Sequence, residues 1–255
     1  MRILLVDDSS TQRMVALFQL EQLGYQADVA ESGPEAVAAV RGKTYDVVLM
    51  DIKMPQMDGL EATRRIRALG AEVVQPRIIA LTAEGSPEAR WDEYQAAGMD
   101  SRLSKPVQSE ELTAVLGATG ESTERGETPS EAPAEPGQLA PAALARLEDM
   151  VRDDPDLLAE LVQRFINQGA PRLLAQMGEA IAGDDRQLLA RAAHTLKSNA
   201  ATFGAHELQQ ACLELELLAE SASPAMAEAA AGVVEAEAAR ALPVIRDWCT
   251  RVLGQ

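Results

Sequence analysis

The sequence predicts two domains of different fold class: an α/β domain with a doubly wound, five-stranded parallel sheet, and an all-α helix bundle. Short β-rich runs alternate with amphipathic helical patterns over residues 1–118, whereas residues 139–255 contain almost no β-branched runs. Residues 119–138 lie between them, lack large apolar side chains and are rich in Gly, Pro, Ser, Thr and Glu. This composition is typical of a flexible acidic linker.

Five strand-like runs follow one another in the first domain. They are RILLV, QADVA, DVVLM, RIIAL and SRLS, and the accompanying helical patterns begin near Ser9, Gly33, Gly59, Pro87 and Ser109. Repeated β-α units predict a mainly parallel sheet with helices on both faces. In such a sheet the ligand site lies at the carboxyl ends of the strands.

Long patterns rich in Ala, Leu and Glu predict the helices of the second domain, at 141–151, 155–182, 184–202, 206–221 and 224–253. Pro141, Pro155 and Pro224 fall in first turns, where proline is tolerated. Pro171 and Pro243 fall inside two of the patterns and should kink or split those helices. The patterns together predict an antiparallel bundle.

The composition argues against several functional classes. The chain has 23 Lys and Arg against 40 Asp and Glu, a formal net charge of −17, and such a surface repels nucleic-acid phosphates. The sequence has no run of 18 apolar residues, and its N-terminal apolar run breaks at two aspartates, too early for a signal peptide. We therefore expect a cytoplasmic protein that binds neither nucleic acid nor membrane. Cys212 and Cys249 lack metal-ligand spacing and are expected to be buried, reduced thiols.

Polar side chains stand at the predicted ends of four strands. Asp7 and Asp8 end the first strand, Asp51 the third, Thr82 the fourth and Lys105 the fifth. Because parallel strands end at one edge of the sheet, these groups should share a pocket. Crowded carboxylates favour a hard divalent cation such as Mg²⁺. The set predicts phosphoryl transfer with Asp51 as the nucleophile. The ammonium of Lys105 and the hydroxyl of Thr82 would offset the charge on the phosphoryl oxygens.

Acidic residues near helix starts also have a structural interpretation. Asp7 and Asp8 could cap the helix that begins near Ser9. The coincidence of both with a further carboxylate, a hydroxyl and an ammonium favours a functional site instead. For Asp58, directly before Gly59, a turn or cap is the favoured interpretation.

Four segments resemble the response-regulator receiver domain in order and spacing over about residues 1–118: LLVDDS, VVLMDIKMPQMDGLEATRRIR, IIALTA and LSKP. The resemblance implies a flavodoxin-like fold with Asp51 as the phosphoacceptor. It implies Asp8 and Asp51 as side-chain Mg²⁺ ligands, Asp7 as an outer acidic partner and the backbone carbonyl of Lys53 as a further ligand.

The same resemblance assigns the remaining groups of the pocket. Thr82 should contact the phosphoryl group, and Lys105 should pair with it, ahead of a cis peptide to Pro106. One position departs from the family pattern. Three residues before the lysine, receivers that switch an output surface usually carry Tyr or Phe, whereas this chain has Arg102. Signalling through an aromatic side chain is therefore not expected here.

The segment HTLKSNAATFG, residues 194–204, contains one of only two histidines in the chain. On a helix, His194, Lys197 and Ser198 share a face. The preceding turn has no acidic residue and the following residues are small, which predicts an imidazole open to another protein. A neutral imidazole is a good nucleophile near pH 7, and Lys197 could stabilise a phosphohistidine. A lone histidine is more often structural, and that interpretation is preferred for His206.

This segment resembles the histidine phosphotransfer (HPt) domain, whose pattern is H-x-L-K-G followed by small residues and a glycine ten positions after the histidine. His194, Leu196, Lys197 and Gly204 match it, while Ser198 replaces the first glycine. The resemblance covers about residues 139–255. It implies His194 as the phosphorylated residue, Lys197 as its stabiliser and Leu196 as a core residue.

The two resemblances together imply a phosphorelay intermediate in two-component signalling, a phosphocarrier with Mg²⁺-dependent Asp/His phosphotransfer. We expect a sensor histidine kinase as its partner, because the sequence has no Walker-type glycine loop and is too short for an added ATP-binding kinase domain. Another receiver domain would be the second partner. The alternative is a docking module in which phosphorylation controls binding and the helical domain carries no phosphate.

Overall fold

The computed structural model describes residues 1–83, 91–117, 138–152, 154–219 and 223–254. The chain divides into two compact units, residues 1–128 and 129–255. Of the predicted linker only Gln138 falls within the described residues, and the predicted helix start at Pro87 falls outside them. No helix in the described ranges is long and apolar enough to cross a membrane.

The N-terminal unit contains the predicted five-stranded parallel sheet. Its strands are β1 (Ile3–Val6), β2 (Ala27–Ala30), β3 (Val47–Asp51), β4 (Arg77–Ala83) and β5 (Ser101–Lys105). They lie in the order β2-β1-β3-β4-β5, and every neighbouring pair is parallel. This doubly wound order confirms the fold class predicted from the sequence.

Helices cover both faces of the sheet, which explains the continuous apolar runs of the central strands. In β1, Leu4 and Val6 belong to one buried cluster and Ile3 and Leu5 to the other. The helices are α1 (Ser10–Gln22), α2 (Gly33–Gly42), α3 (Gly59–Ala68), α4 (Trp91–Ala97) and α5 (Ser109–Gly117), with a short 3₁₀ turn at Gly70–Glu72. Asp58 caps α3, since its Oδ1 accepts from the Glu61 N–H at 2.7 Å, as expected for this residue.

The C-terminal unit is helical in its described residues. Its helices are α6 (Pro141–Met150), α7 (Pro155–Arg164), α8 (Ala170–Ala182), α9 (Arg186–Thr202), α10 (His206–Ala219) and α11 (Pro224–Val252). A π-helical segment, Phe165–Gly169, separates α7 from α8, so the pattern at 155–182 is split just before Pro171, as expected. Of the kink or split expected at Pro243, a split does not occur: α11 continues through it, with buried Ala238 and Ile245 on either side.

The C-terminal end of α9 is fixed by a glycine. Gly204 has a φ of +67°, and its carbonyl accepts from the Ala140 N–H at 2.8 Å. A Cβ at this position would lie 2.9 Å from the Cβ of Ala143, so only glycine allows this close approach to the start of α6. Stacking of Phe165 on Phe203, with ring centroids 4.8 Å apart, ties the π-helical segment to the same end. Cys212 and Cys249 are buried and form no disulfide.

Candidate functional site

Three carboxylates meet at the carboxyl edge of the sheet. The register pairs Val6 of β1 with Met50 of β3, so Asp7 and Asp51 follow adjacent strand positions. Asp7, Asp8 and Asp51 each offer a carboxylate oxygen within 4.8 Å of the others. Asp7 and Asp51 are only 1% and 2% exposed, whereas Asp8 is partly exposed. The topology therefore brings the predicted acidic residues together.

Lys105 links two of these carboxylates. Its Nζ lies 2.6 Å from Asp7 Oδ2 and 2.9 Å from Asp51 Oδ1, and the peptide bond from Lys105 to Pro106 is cis. Thr82 follows Leu81, the register partner of Asp51, and its buried hydroxyl donates to the carbonyl of Leu103 at 3.3 Å. The predicted lysine thus contacts the acids directly, while the predicted hydroxyl lies on the neighbouring strand end.

Backbone contacts hold the acids in place. The Ser9 N–H donates to Asp7 Oδ1 at 2.8 Å, and the Lys53 N–H donates to Asp51 Oδ1 at 3.3 Å. Arg13 Nη1 donates to the Asp7 carbonyl at 2.7 Å, while its Nη2 pairs with Glu31 at 2.6 Å. Arg13 was not among the residues predicted from the sequence, because its position on α1 does not show that its side chain reaches back to the end of β1.

The electrostatics of this edge follow from burial and crowding. The pKa of Asp51 is raised to about 8, chiefly by burial; the Lys105 ammonium opposes this effect, and the carboxylates of Asp7 and Asp8 reinforce it. Burial by itself lowers the pKa of Lys105, but the Asp51 and Asp7 carboxylates raise it above its ordinary value. Lys105 is therefore a permanent cation, and the three acids outnumber it.

His194 lies on α9 beside a carboxylate from α10. Its Nδ1 is 2.9 Å from Glu216 Oε1, and Lys197 Nζ donates to Glu216 Oε2 at 2.6 Å. Although burial opposes it, hydrogen bonds and charge from His194 and Lys197 lower the pKa of Glu216 to about 2. Glu216 is thus an acceptor at neutral pH, which places the proton of a neutral imidazole on Nδ1 and the lone pair on Nε2.

The expectation of an open imidazole is wrong, and an acidic neighbour comes from another helix. His194 and Lys197 are only 6% and 7% exposed, and Glu216 bridges them. The reason is tertiary: α10 crosses α9 and supplies a carboxylate that the local pattern around His194 does not contain. Ser198, which stands where a glycine was expected, is accommodated because its hydroxyl donates to the His194 carbonyl at 3.2 Å.

Comparison with known proteins assigns the two units. Residues 3–117 match the family model of the response regulator receiver domain, and residues 160–253 match that of the Hpt domain. The two-component response regulator ORR41 of Oryza sativa subsp. japonica is 44% identical over 119 residues, which cover 45% of this chain and 91% of that protein. The chain belongs to the response-regulator family. Its N-terminal unit is a receiver domain, and an Hpt domain follows it.

Longer relatives extend the match beyond the receiver domain. The sensor protein GacS of Pseudomonas syringae pv. syringae is 31% identical over 234 residues, covering 89% of this chain and 26% of that protein. The chain spans 15% of the length of two plant histidine kinases that it also matches. A solved structure, the receiver domain of the sensor histidine kinase PA1611 from Pseudomonas aeruginosa with a coordinated magnesium ion, is 36% identical. It has a TM-score of 0.41 and covers 45% of this chain and 93% of that one.

The receiver domain offers a donor set suited to Mg²⁺. Asp7, Asp8 and Asp51 supply clustered carboxylate oxygens, the ligands that this hard cation prefers, and Lys105 offsets only part of their charge. A divalent cation would offset the carboxylate repulsion that adds to the effect of burial on the pKa of Asp51. The residues present therefore fit the ion.

Two further residues singled out by the sequence lie away from these groups. Arg102 of the receiver domain is an exposed residue of β5, and its guanidinium carbon lies 5.8 Å from the ring centroid of Trp91 on α4. His206 of the Hpt domain is the first residue of α10 and is partly buried. Arg102 thus packs on an aromatic face on the outside of the sheet.

Proposed function

We propose that this chain is a phosphorelay intermediate, which accepts a phosphoryl group on Asp51 and exchanges it with His194. One observation carries the proposal: a single chain combines a buried carboxylate paired with Lys105 at a receiver sheet edge and an imidazole held by Glu216 and Lys197 in an Hpt domain. The proposed domains are 1–118 for the receiver, 119–138 for a linker and 139–255 for the Hpt domain.

In the receiver step, an oxygen of the Asp51 carboxylate attacks the phosphorus of a phosphohistidine on a sensor histidine kinase. A P–O bond forms, the P–N bond breaks, and the electron pair of that bond returns to the imidazole nitrogen. Lys105 offsets the charge of the phosphoryl oxygens, as would the hydroxyl of Thr82 after leaving the Leu103 carbonyl. Asp8 and Asp51 would hold Mg²⁺ with the Lys53 carbonyl, Asp7 lying outside. The bound ion would draw charge from the phosphoryl oxygens.

In the Hpt step, Glu216 holds the proton of His194 on Nδ1, so Nε2 is the atom that attacks an aspartyl phosphate. The P–N bond forms, the acyl P–O bond breaks, and its electron pair leaves on the aspartate. Only 6% of His194 is exposed, so a donor can approach the imidazole over only a small part of its surface. Glu216 is thus a positioning residue, which sequence analysis missed.

The rival interpretation, a docking module whose helical domain carries no phosphate, is not favoured. Docking alone gives no reason for one carboxylate to orient an imidazole and hold an ammonium at the same time. The match to the Hpt family model points the same way. The proposed partners are a sensor histidine kinase and a further receiver domain; the acidic charge supports neither nucleic acid nor an anionic membrane as a partner.

The relay is tested by mapping label in the full chain after incubation with radiolabelled acetyl phosphate. We expect wild type to carry both base-labile acyl phosphate on Asp51 and acid-labile phosphohistidine on His194. The His194→Gln variant should keep the acyl phosphate and lose the phosphohistidine completely, because the other histidine of the chain, His206, has no lysine one turn away. Wild type without label on His194 would overturn the relay and leave the receiver step standing.

Mg²⁺ is expected to stabilise the receiver domain even without phosphate. At ten times its dissociation constant, a ligand that binds only the folded state adds about 1.4 kcal/mol to the free energy of unfolding. Hydrogen exchange of the β3 amides, with and without Mg²⁺, measures this change. Asp8→Asn should lose the effect, while Asp58→Asn, which removes a charge from a helix cap, should retain it. An equal Mg²⁺ effect in wild type and Asp8→Asn would contradict the assigned ligands.

A further inference from the structure

Two cationic residues flank His194 on α9. Arg191 precedes it by three positions and Lys197 follows it by three, so both lie one turn away along the same side of the helix. Phosphoryl exchange with a receiver brings carboxylates and a phosphoryl dianion to this side. Whether each cation is already paired therefore decides which of them attracts an acidic partner.

The charge of Lys197 is already balanced. Its Nζ is 2.6 Å from Glu216 Oε2, and the same carboxylate holds His194 through Oε1. An ammonium in a short, buried ion pair is not offered to an incoming anion unless Glu216 releases it. Lys197 thus maintains the arrangement around the imidazole more than it attracts a partner.

Arg191 is in the opposite situation. It is partly buried, and within the described ranges its guanidinium has no hydrogen bond or ion pair; its Nε is shielded from solvent and has no acceptor. A shielded donor without an acceptor is unfavourable, because it has lost its water without gaining another partner. Among the described residues, Arg191 is thus the cation beside His194 whose charge no carboxylate balances.

We infer that Arg191 is a docking and specificity residue of the Hpt domain, which is attracted by the net negative charge of the sheet edge of the receiver that exchanges phosphate with His194. The inference rests on the proposed relay. A receiver edge of the kind this chain carries has three carboxylates within 4.8 Å of one another and one lysine among them. With the phosphoryl dianion added, this edge stays anionic even when one Mg²⁺ is bound, and a guanidinium is a permanent cation that it attracts.

The test measures transfer between two copies of the full chain. The donor carries His194→Gln and is labelled on Asp51 with radioactive acetyl phosphate, then freed of the reagent. The acceptor carries Asp51→Asn, with Arg191 intact or replaced. The rate of label transfer to His194, followed against acceptor concentration, gives a half-saturating concentration and a maximal rate. We expect Arg191→Gln to raise the half-saturating concentration about tenfold and to leave the maximal rate within twofold of its original value.

Three comparisons separate this role from a structural one. Arg191→Lys should recover part of the affinity that Arg191→Gln loses. Added salt should weaken binding of the acceptor with Arg191 intact more than binding of the Gln variant, because salt screens a contact between charges. Arg172→Gln, which removes an exposed arginine from α8, should change neither constant. The thermal midpoint of Arg191→Gln should not fall, since the replaced group has no intramolecular partner.

An unchanged half-saturating concentration in Arg191→Gln would overturn the inference and leave the relay intact. An equal rise in Arg172→Gln, or a fall confined to the maximal rate, would overturn it as well. Absence of transfer to the acceptor with Arg191 intact would overturn the proposed relay and the inference together.

Discussion

Asp51→Asn is expected to abolish phosphorylation of the receiver domain, by at least about a thousandfold in the rate of labelling from acetyl phosphate. The amide keeps the size of the side chain but has no anionic oxygen to attack phosphorus. The 2.6 Å pair between Lys105 and Asp7 remains, so the pocket should stay folded. Label on His194 should disappear in the same variant, because under the proposed relay it arrives through Asp51.

The measurement is phosphosite mapping under conditions that preserve both acyl phosphate and phosphohistidine, accompanied by circular dichroism to confirm folding. Asp58→Asn is the matched control, because it makes the same chemical change at a cap of α3, where asparagine caps as well as aspartate. Its labelling should equal that of wild type. Label on His194 at the wild-type level in Asp51→Asn would show that the imidazole is phosphorylated directly and that the relay order is wrong.

The sheet edge could be predicted from the sequence because topology alone determines it. Alternating β-α units imply parallel strands, and parallel strands place Asp7, Asp51 and Lys105 at one edge whatever the details of packing. The carboxylates and the lysine then find one another at hydrogen-bonding distance. The contact from Arg13 to the Asp7 carbonyl could not be predicted in this way, because it depends on one rotamer of a long side chain.

The surroundings of His194 could be predicted only in part. Helical periodicity correctly places Lys197 one turn from His194, but Glu216 lies 22 residues after His194, on another helix. Its contact depends on how α10 crosses α9, and α10 carries two other glutamates, Glu207 and Glu214, which periodicity alone does not distinguish from Glu216. Burial of the imidazole has the same origin. Local patterns identify which residues share a helix face, and helix packing decides whether that face is open.

A glycine beneath the phosphoacceptor connects the fold to the chemistry. Gly59 is the first residue of α3, and its N–H donates to the Ile52 carbonyl at 2.9 Å. A Cβ built on it would lie 2.1 Å from the backbone oxygen of Asp51 and 3.0 Å from the Cα of Ile52. Both obstacles are backbone atoms, and β3 is held between β1 and β4, so they cannot rotate away as a side chain would.

Gly59→Ala is therefore expected to lower the stability of the receiver domain by about 3 kcal/mol and to slow labelling of Asp51 at least about tenfold. The end of β3 must shift to relieve the contact, which displaces Asp51 from Lys105. Hydrogen exchange of the β3 amides reports this domain apart from the bundle, and acetyl phosphate labelling reports the site. Gly42→Ala, at the end of α2 with no atom within 4 Å of the new Cβ, should change stability by less than about 0.5 kcal/mol. Equal behaviour of the two variants would mean that α3 moves away from Asp51 at little cost, and that the alignment of Asp51 with Lys105 does not depend on this close approach.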